Sequence, residues 1–389
     1  MDNTIIPYAR QSISDQDIQA VVDVLKSDWL TQGPAVERFE QSVASYCKTK
    51  YAVAVNSATS ALHIACLAAG LGPGDALWTS PNTFVASANC ALYCGAGVDF
   101  VDIDPRSYNM SMDKLEQKLA KSKRAGKLPK VVVPVHFAGQ SCDMAKIADL
   151  SKQYGFTVIE DASHAIGGRY LDRTIGNCSF SDMTVFSFHP VKIITTGEGG
   201  MLLTNRKDLH DKLVRLRSHG ITRDPAMMQG ESHGPWYYQQ IELGFNYRMT
   251  DIQAALGISQ VLRLDEFVAR RNYLADRYDR ALCDLPLTLP WQHPDTYSAY
   301  HLYVIRLQRE KIKISHKAVV ELLRREGIQV NVHYIPVHMQ PYYRELGFHE
   351  GDFAEAERYY REGISIPMYF DLTEDKQDRV ITIIKKALL

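Results

Sequence analysis

No phosphate loop of the GxxxxGK(S/T) type, no GxGxxG turn, no GxSxG elbow and no HExxH helix occurs in these 389 residues, which removes the common nucleotide, hydrolase and zinc-protease readings. Charge of one sign is also lacking, since 44 Lys and Arg face 45 Asp and Glu. Nothing in that balance favours nucleic acid or an anionic membrane as a partner. No apolar run approaches membrane-spanning length, and residues 1–12 lack the basic region and apolar stretch of a signal peptide. The expectation is a soluble cytoplasmic protein. Seven cysteines, at 47, 66, 90, 94, 142, 178 and 283, make neither a disulfide framework nor a CxxC pair and read as small, mostly buried thiols. His136, His164, His189, His333 and His338 lie near expected loops without a second ligand-rich motif, so no metal is expected.

What is present is alternation. Residues 14–26 predict a helix capped by Ser14, with Ile18, Val21, Val22 and Leu25 on one face. A breaker-rich loop, Leu30-Thr31-Gln32-Gly33-Pro34, precedes a second helix over 35–46. Residues 51–55 read as a buried strand running directly into Asn56-Ser57-Ala58-Thr59-Ser60 at the start of a helix. Strands are then expected at 76–80, 98–103, 130–135 and 156–160, separated by helices ending at 93, 124 and 154. This is the pattern of an α/β fold with a mostly parallel sheet flanked by helices. Residues 220–244 read as a long loop carrying Trp236-Tyr237-Tyr238, and 250–282 as one long helix bridging two domains. Beyond it, strands at 302–307 and 328–333 and a terminal helix suggest a smaller α+β unit. The expected division is 1–255 and 256–389.

Residues 183–204 carry the chemistry. Two short apolar runs flank a loop in which Lys192 stands between Val191 and Ile193. Desolvation there would lower the ammonium pKa and free a nucleophilic amine, as Schiff-base chemistry requires; a lysine snorkelling from a strand end would look the same. Ser57 and Thr59 place hydroxyls where a strand meets a helix N-terminus, which suits a phosphate, or else simply caps the helix. Asp161 closes a strand at the end where open α/β sheets bind ligands. Add an aromatic at Phe84 and a serine at Ser187, and the set matches the needs of pyridoxal phosphate: an anion site, an apolar face, a carboxylate for the pyridinium nitrogen and a lysine for the aldehyde.

In order and across nearly the whole chain, NSATSALH, Glu160-Asp161-Ala162-Ser163-His164, FSFHPVKIITTGEGG, LRSHG and GFNYRMTD resemble the DegT/DnrJ/EryC1/StrS sugar aminotransferases, fold-type-I enzymes dependent on pyridoxal phosphate. LTQGP and VHYIP add a likeness to the branch that aminates C4 of UDP-linked 4-keto-6-deoxy-N-acetylhexosamines in the pseudaminic acid pathway. The resemblance implies that Lys192 is the Schiff-base lysine and proton carrier. It places Asp161 on the pyridine nitrogen, His164 by the ring hydroxyl and Phe84 on the ring face, a position often tryptophan in relatives. Ala58, Thr59 and Ser187 would hold the phosphate, joined by Asn246 from the neighbouring subunit of a homodimer with shared sites. Arg248 would assist there or form a surface ion pair. Tyr8, Thr31, Gln32, His189, His333 and Tyr334 are candidates for the sugar and its diphosphate. Glutamate is the expected amino donor in a ping-pong cycle. A dehydratase of the same fold carries histidine in place of the lysine, which Lys192 argues against; a non-catalytic cofactor-binding regulator is the reading from a different class.

Overall fold

In the computed structural model, which describes residues 5–388, a seven-stranded sheet forms the centre of the chain. Its strands are β1 (Tyr51–Val55), β2 (Ala76–Thr79), β3 (Gly97–Phe100), β4 (Val131–Val133), β5 (Thr157–Asp161), β6 (Met183–Ser187) and β7 (Gly200–Thr204), in the order β1-β7-β6-β5-β4-β2-β3. Only β7 runs antiparallel, pairing Leu203 with both Ala52 and Thr184. The central strands are apolar on both faces because helices cover both. On one side α3 (Ala58–Ala68), α4 (Ala86–Tyr93) and α7 (Lys207–Leu216) bury Leu62, Cys66, Cys90 and Leu213 against Val53, Ile159 and Leu202. On the other, α2 (Pro34–Cys47) and α8 (Asp251–Val261) enclose Phe39, Phe186, Phe188 and Ala254, while α5 (Met112–Arg124) and α6 (Met144–Tyr154) pack Leu115 and Leu150 on Trp78 and Val158.

Capping follows the local sequence. α1 (Asp15–Leu25) opens with a full capping box between Ser14 and Asp17. Its expected apolar face, however, is not the buried one: Ile18 and Leu25 are exposed, and Asp17 and Val24 point inward. The reason is polar, since buried Asp17 accepts a hydrogen bond from Gln260 Nε2 on α8 at 2.8 Å. α2 lacks a side-chain cap of its own; Asp251 supplies one across the fold, accepting from the N–H groups of Gly33 (2.9 Å) and Ala35 (3.1 Å).

Two further sequence expectations are corrected. The single helix over 250–282 is two, α8 and α9 (Leu264–Leu282), although neither proline nor glycine lies at the break. There Leu262 turns outward, Leu264 enters the sheet core, and the Arg263 guanidinium lies over Phe267 at 4.7 Å and Phe370 at 5.3 Å. Tertiary contacts thus interrupt a locally helical sequence. The second is 328–333, which forms no strand: it makes isolated bridges, Ile328 with Ile6 and Asn331 with Ser365, because its neighbours cross it at single points. Leu274, Tyr278 and Leu282 of α9 join a separate core with the small sheet β8 (Leu287–Thr288), β9 (Tyr303–Leu307) and β10 (Gly363–Ile366) and the helix Glu374–Leu388. The loop 220–244 contains one short antiparallel pairing, Ile221–Thr222 with Gln239–Gln240, and leaves Trp236 and Leu243 exposed. Among the described residues, no helix is long and apolar enough to cross a membrane. Six of the seven free cysteines are buried and Cys283 is exposed.

Candidate active site

Beyond the carboxyl ends of β1, β5 and β6 lies a cavity of about 560 Å³. The strand ends explain its position: β1 runs into the start of α3, β5 ends on Asp161 and β6 on Ser187. His301, Asn331, His333 and Tyr334, all beyond α9 in the chain, and Tyr8 near the N-terminus complete the lining.

Lys192 reaches this cavity because the loop around it is tied down. Its N–H donates to His189 O (2.9 Å), Thr196 N–H and the Thr195 hydroxyl both reach Phe188 O, and Ile193 and Ile194 are buried in the sheet core. Burial lowers its ammonium pKa from the usual 10.5 to about 8, against the opposing charge of Asp161. At the other end, Ser57 caps α3, its side chain accepting from Ser60 N, and Ser57, Ala58, Thr59 and Ser187 line one wall. The leading N–H groups of a helix and its dipole favour an anion there. Gly200 makes that cradle possible: a Cβ on it would stand 2.5 Å from the Ser57 carbonyl carbon and 2.6 Å from Ala58 N. Gly197 turns the preceding loop with φ +81°.

Three histidines crowd the middle of the site. His164 and His301 have ring centroids 4.3 Å apart, and burial with the neighbouring positive charge of Lys192 holds both well below the ordinary imidazole value. His333 is pushed down to about 4 for the same reasons, and its Nδ1 is 2.8 Å from Ser365 Oγ. Phe84 sits at the rim, 57% exposed, with its ring 6.3 Å from Tyr334.

The structure therefore brings together Tyr8, Ala58, Thr59, Phe84, Asp161, His164, Ser187, His189, Lys192, His333 and Tyr334. It does not bring Thr31, Gln32, Asn246 or Arg248 to the cavity of the same chain. Thr31 and Gln32 are exposed in the loop before α2, where Asp251 anchors Gly33 instead. Asn246 is exposed and bridges Ser218 through its backbone, and Arg248 donates to Ser218 Oγ (3.3 Å) rather than forming an ion pair. Ser57, expected at the phosphate end, is in the lining too; sequence reasoning missed Ser163, Glu198, His301 and Asn331, which also line it. Asn331 was findable, since it sits two residues before His333 on one side of an extended segment and its Nδ2 is 3.3 Å from His333 Nε2. His301 carries no local signal.

Residues 11–385 match the DegT/DnrJ/EryC1/StrS aminotransferase family. The chain belongs to that family. It is 41% identical over 386 residues to the spore coat polysaccharide biosynthesis protein SpsC of Bacillus subtilis (strain 168), covering 98% of this chain and 97% of SpsC. Among solved structures it is similar to PseC of Helicobacter pylori, an aminotransferase involved in the biosynthesis of pseudoaminic acid (TM-score 0.89, 31% identity, 99% of each chain). It is also similar to the putative sugar aminotransferase Spr1654 of Streptococcus pneumoniae in its PMP form (TM-score 0.88, 29% identity, 98% of this chain and 100% of that one). This is a sugar aminotransferase dependent on pyridoxal phosphate, with a fold-type-I architecture. The cavity suits that cofactor on its own terms: an anion cradle built by Gly200 and the α3 N-terminus, a buried carboxylate at Asp161 and a lysine whose amine is deprotonated near pH 8.

Proposed function

We propose that this enzyme moves an amino group from glutamate to C4 of a UDP-linked 4-keto-6-deoxy-N-acetylhexosamine, in ping-pong order. Bound pyridoxal phosphate supplies a carbonyl that joins to amines and a ring that holds the electrons released when a C–H bond breaks. Lys192 anchors the cofactor and afterwards carries a proton on Nζ; a pKa near 8 lets it both take and return that proton near neutral pH. Asp161 pairs with the ring nitrogen, His164 lies by the ring hydroxyl and Phe84 covers the ring from the rim. Ala58, Thr59 and Ser187 bind the phosphate. Asn246, exposed and outside its own cavity, completes that cradle in a second subunit of a homodimer, with Arg248 beside it. Tyr8, His189, His333 and Tyr334 receive the sugar nucleotide. His333 is neutral above about pH 4 and its ring nitrogens face Ser365 and Asn331, so it shapes the sugar site without adding charge.

The observation that carries this reading is the composition of the cavity lining around Lys192. It presents Tyr8, His301, Asn331, His333 and Tyr334, neutral donors and acceptors suited to a polyhydroxylated ring. The similarity to PseC supports the same assignment. The test is a panel of nucleotide-linked keto sugars with glutamate, following 2-oxoglutarate release. The UDP-4-keto-6-deoxy-N-acetylhexosamine should give the highest kcat/KM, with parallel double-reciprocal lines. Preference for a 3-keto sugar or for another nucleotide would refute the substrate, and intersecting lines would refute the order.

A further inference from the structure

Asp161 is held by two serines, Ser87 buried outside the cavity lining and Ser163 on the cavity wall. Ser87 Oγ donates to Asp161 Oδ2 at 2.6 Å. Ser163 donates to Oδ1 twice, from its hydroxyl at 2.6 Å and from its backbone N–H at 3.1 Å. Ser87 sits on α4, completely buried, and its Oγ is 2.7 Å from Thr83 Oγ1, which is 2% exposed. Ser87 has one hydroxyl proton, and a carboxylate can only accept. The Thr83 hydroxyl is therefore the donor to Ser87, and the chain runs one way, from Thr83 to Ser87 to Asp161. Successive hydrogen bonds of one polarity strengthen one another in a buried setting. Ser163 fills both acceptor positions of Oδ1, while Oδ2 takes Ser87 and keeps one position for a further donor.

We infer that Ser87 and Ser163 are positioning residues which hold Asp161 as an oriented carboxylate and so keep the cofactor's ring nitrogen protonated. This rests on the pairing of Asp161 with that nitrogen proposed above. It also assigns α4 a purpose beyond packing, because its second residue reaches the site from outside the cavity lining. The two serines act from separate elements, α4 and the turn after β5, so each oxygen is fixed independently.

The experiment reconstitutes wild type, Ser87→Ala, Ser163→Ala, Ser163→Thr and Asp161→Asn with pyridoxal phosphate labelled with ¹⁵N in the ring, and records the ring-nitrogen resonance beside kcat and KM. Wild type should show the protonated position and Asp161→Asn the unprotonated one. Each serine-to-alanine variant should shift the resonance part-way and lower kcat on the order of tenfold, the scale of one hydrogen bond to a charged group. KM for the sugar should change little, and Ser163→Thr, which keeps the hydroxyl, should restore both readings. A wild-type resonance in both alanine variants, with Asp161→Asn shifted, overturns the inference alone. An unshifted resonance in Asp161→Asn overturns the Asp161 pairing and this inference with it. Should Ser87→Ala fail to fold, Ser163→Ala on the cavity wall decides the matter by the same two readings.

Discussion

The Tyr334 hydroxyl stands 3.1 Å from His164 Nε2. On the other side of the imidazole, Nδ1 accepts the backbone N–H of Ala138 at 3.3 Å. A neutral imidazole that accepts at Nδ1 carries its proton on Nε2. His164 therefore donates to Tyr334, whose own proton is left for the cavity. Tyr334→Phe removes the acceptor from a buried N–H, and the expected cost is about 1–3 kcal/mol in unfolding free energy. The same variant should raise KM for the sugar nucleotide more than it alters cofactor affinity. Chemical denaturation and steady-state kinetics check both, and an unchanged KM would remove Tyr334 from the substrate site.

Lys192 titrates at about 8, and only its neutral form attacks a carbonyl. The rate at which cofactor-free protein captures pyridoxal phosphate should rise about tenfold per pH unit below that value and level off above it. Stopped-flow absorbance between pH 6 and 10 measures this directly. A rate still climbing at pH 10 would mean an ordinary solvated lysine. Lys192→Ala should give neither the visible band of the lysine-bound cofactor nor turnover.

Acid should destabilise the protein through His333. Its value is about 4 in the folded state, below the ordinary 6.5. Above pH 6.5 both folded and unfolded forms are neutral and nothing is lost. Between 6.5 and 4 the unfolded chain binds a proton that the folded one does not, so stability falls as pH falls, by up to about 3 kcal/mol near pH 4. His333→Gln should flatten that slope in urea titrations at stepped pH. His164 and His301 are lowered in the same direction and should leave a residual slope in the variant.

Asn246 supplies a test of shared sites. Asn246→Ala and Lys192→Ala should each be nearly inactive alone. Mixed, unfolded and refolded together, they should regain up to about a quarter of wild-type activity, because half the dimers are mixed and each of those has one intact site. No recovery, with exchange shown by mass, would place Asn246 in its own chain's chemistry or outside it altogether.

The large sheet was legible because its signals are local. Helix starts at Ser14 and Ser57 declare themselves by capping chemistry, and the strands 51–55 and 183–187 by short apolar runs. The bridging helix was misread because its break depends on where Arg263 and Leu264 find partners, which spacing does not encode. The strand expected at 328–333 failed for a related reason: a β-ladder needs neighbours running alongside, and here Ile6 and Ser365 each touch it once.

By itself the sequence determined the chemistry, because a desolvated lysine, a strand-end carboxylate and a hydroxyl-rich helix start are each written in consecutive residues around Lys192, Asp161 and Ser57. Tertiary structure alone decided what surrounds them. It set His301 beside His164 across 137 positions and Ser87 against Asp161 across 74, and kept Thr31 and Gln32 out of the cavity of their own chain. The physical reason is range: caps, turns and apolar periodicity act over a few residues, whereas hydrogen-bond partners and burial are fixed only when distant segments pack.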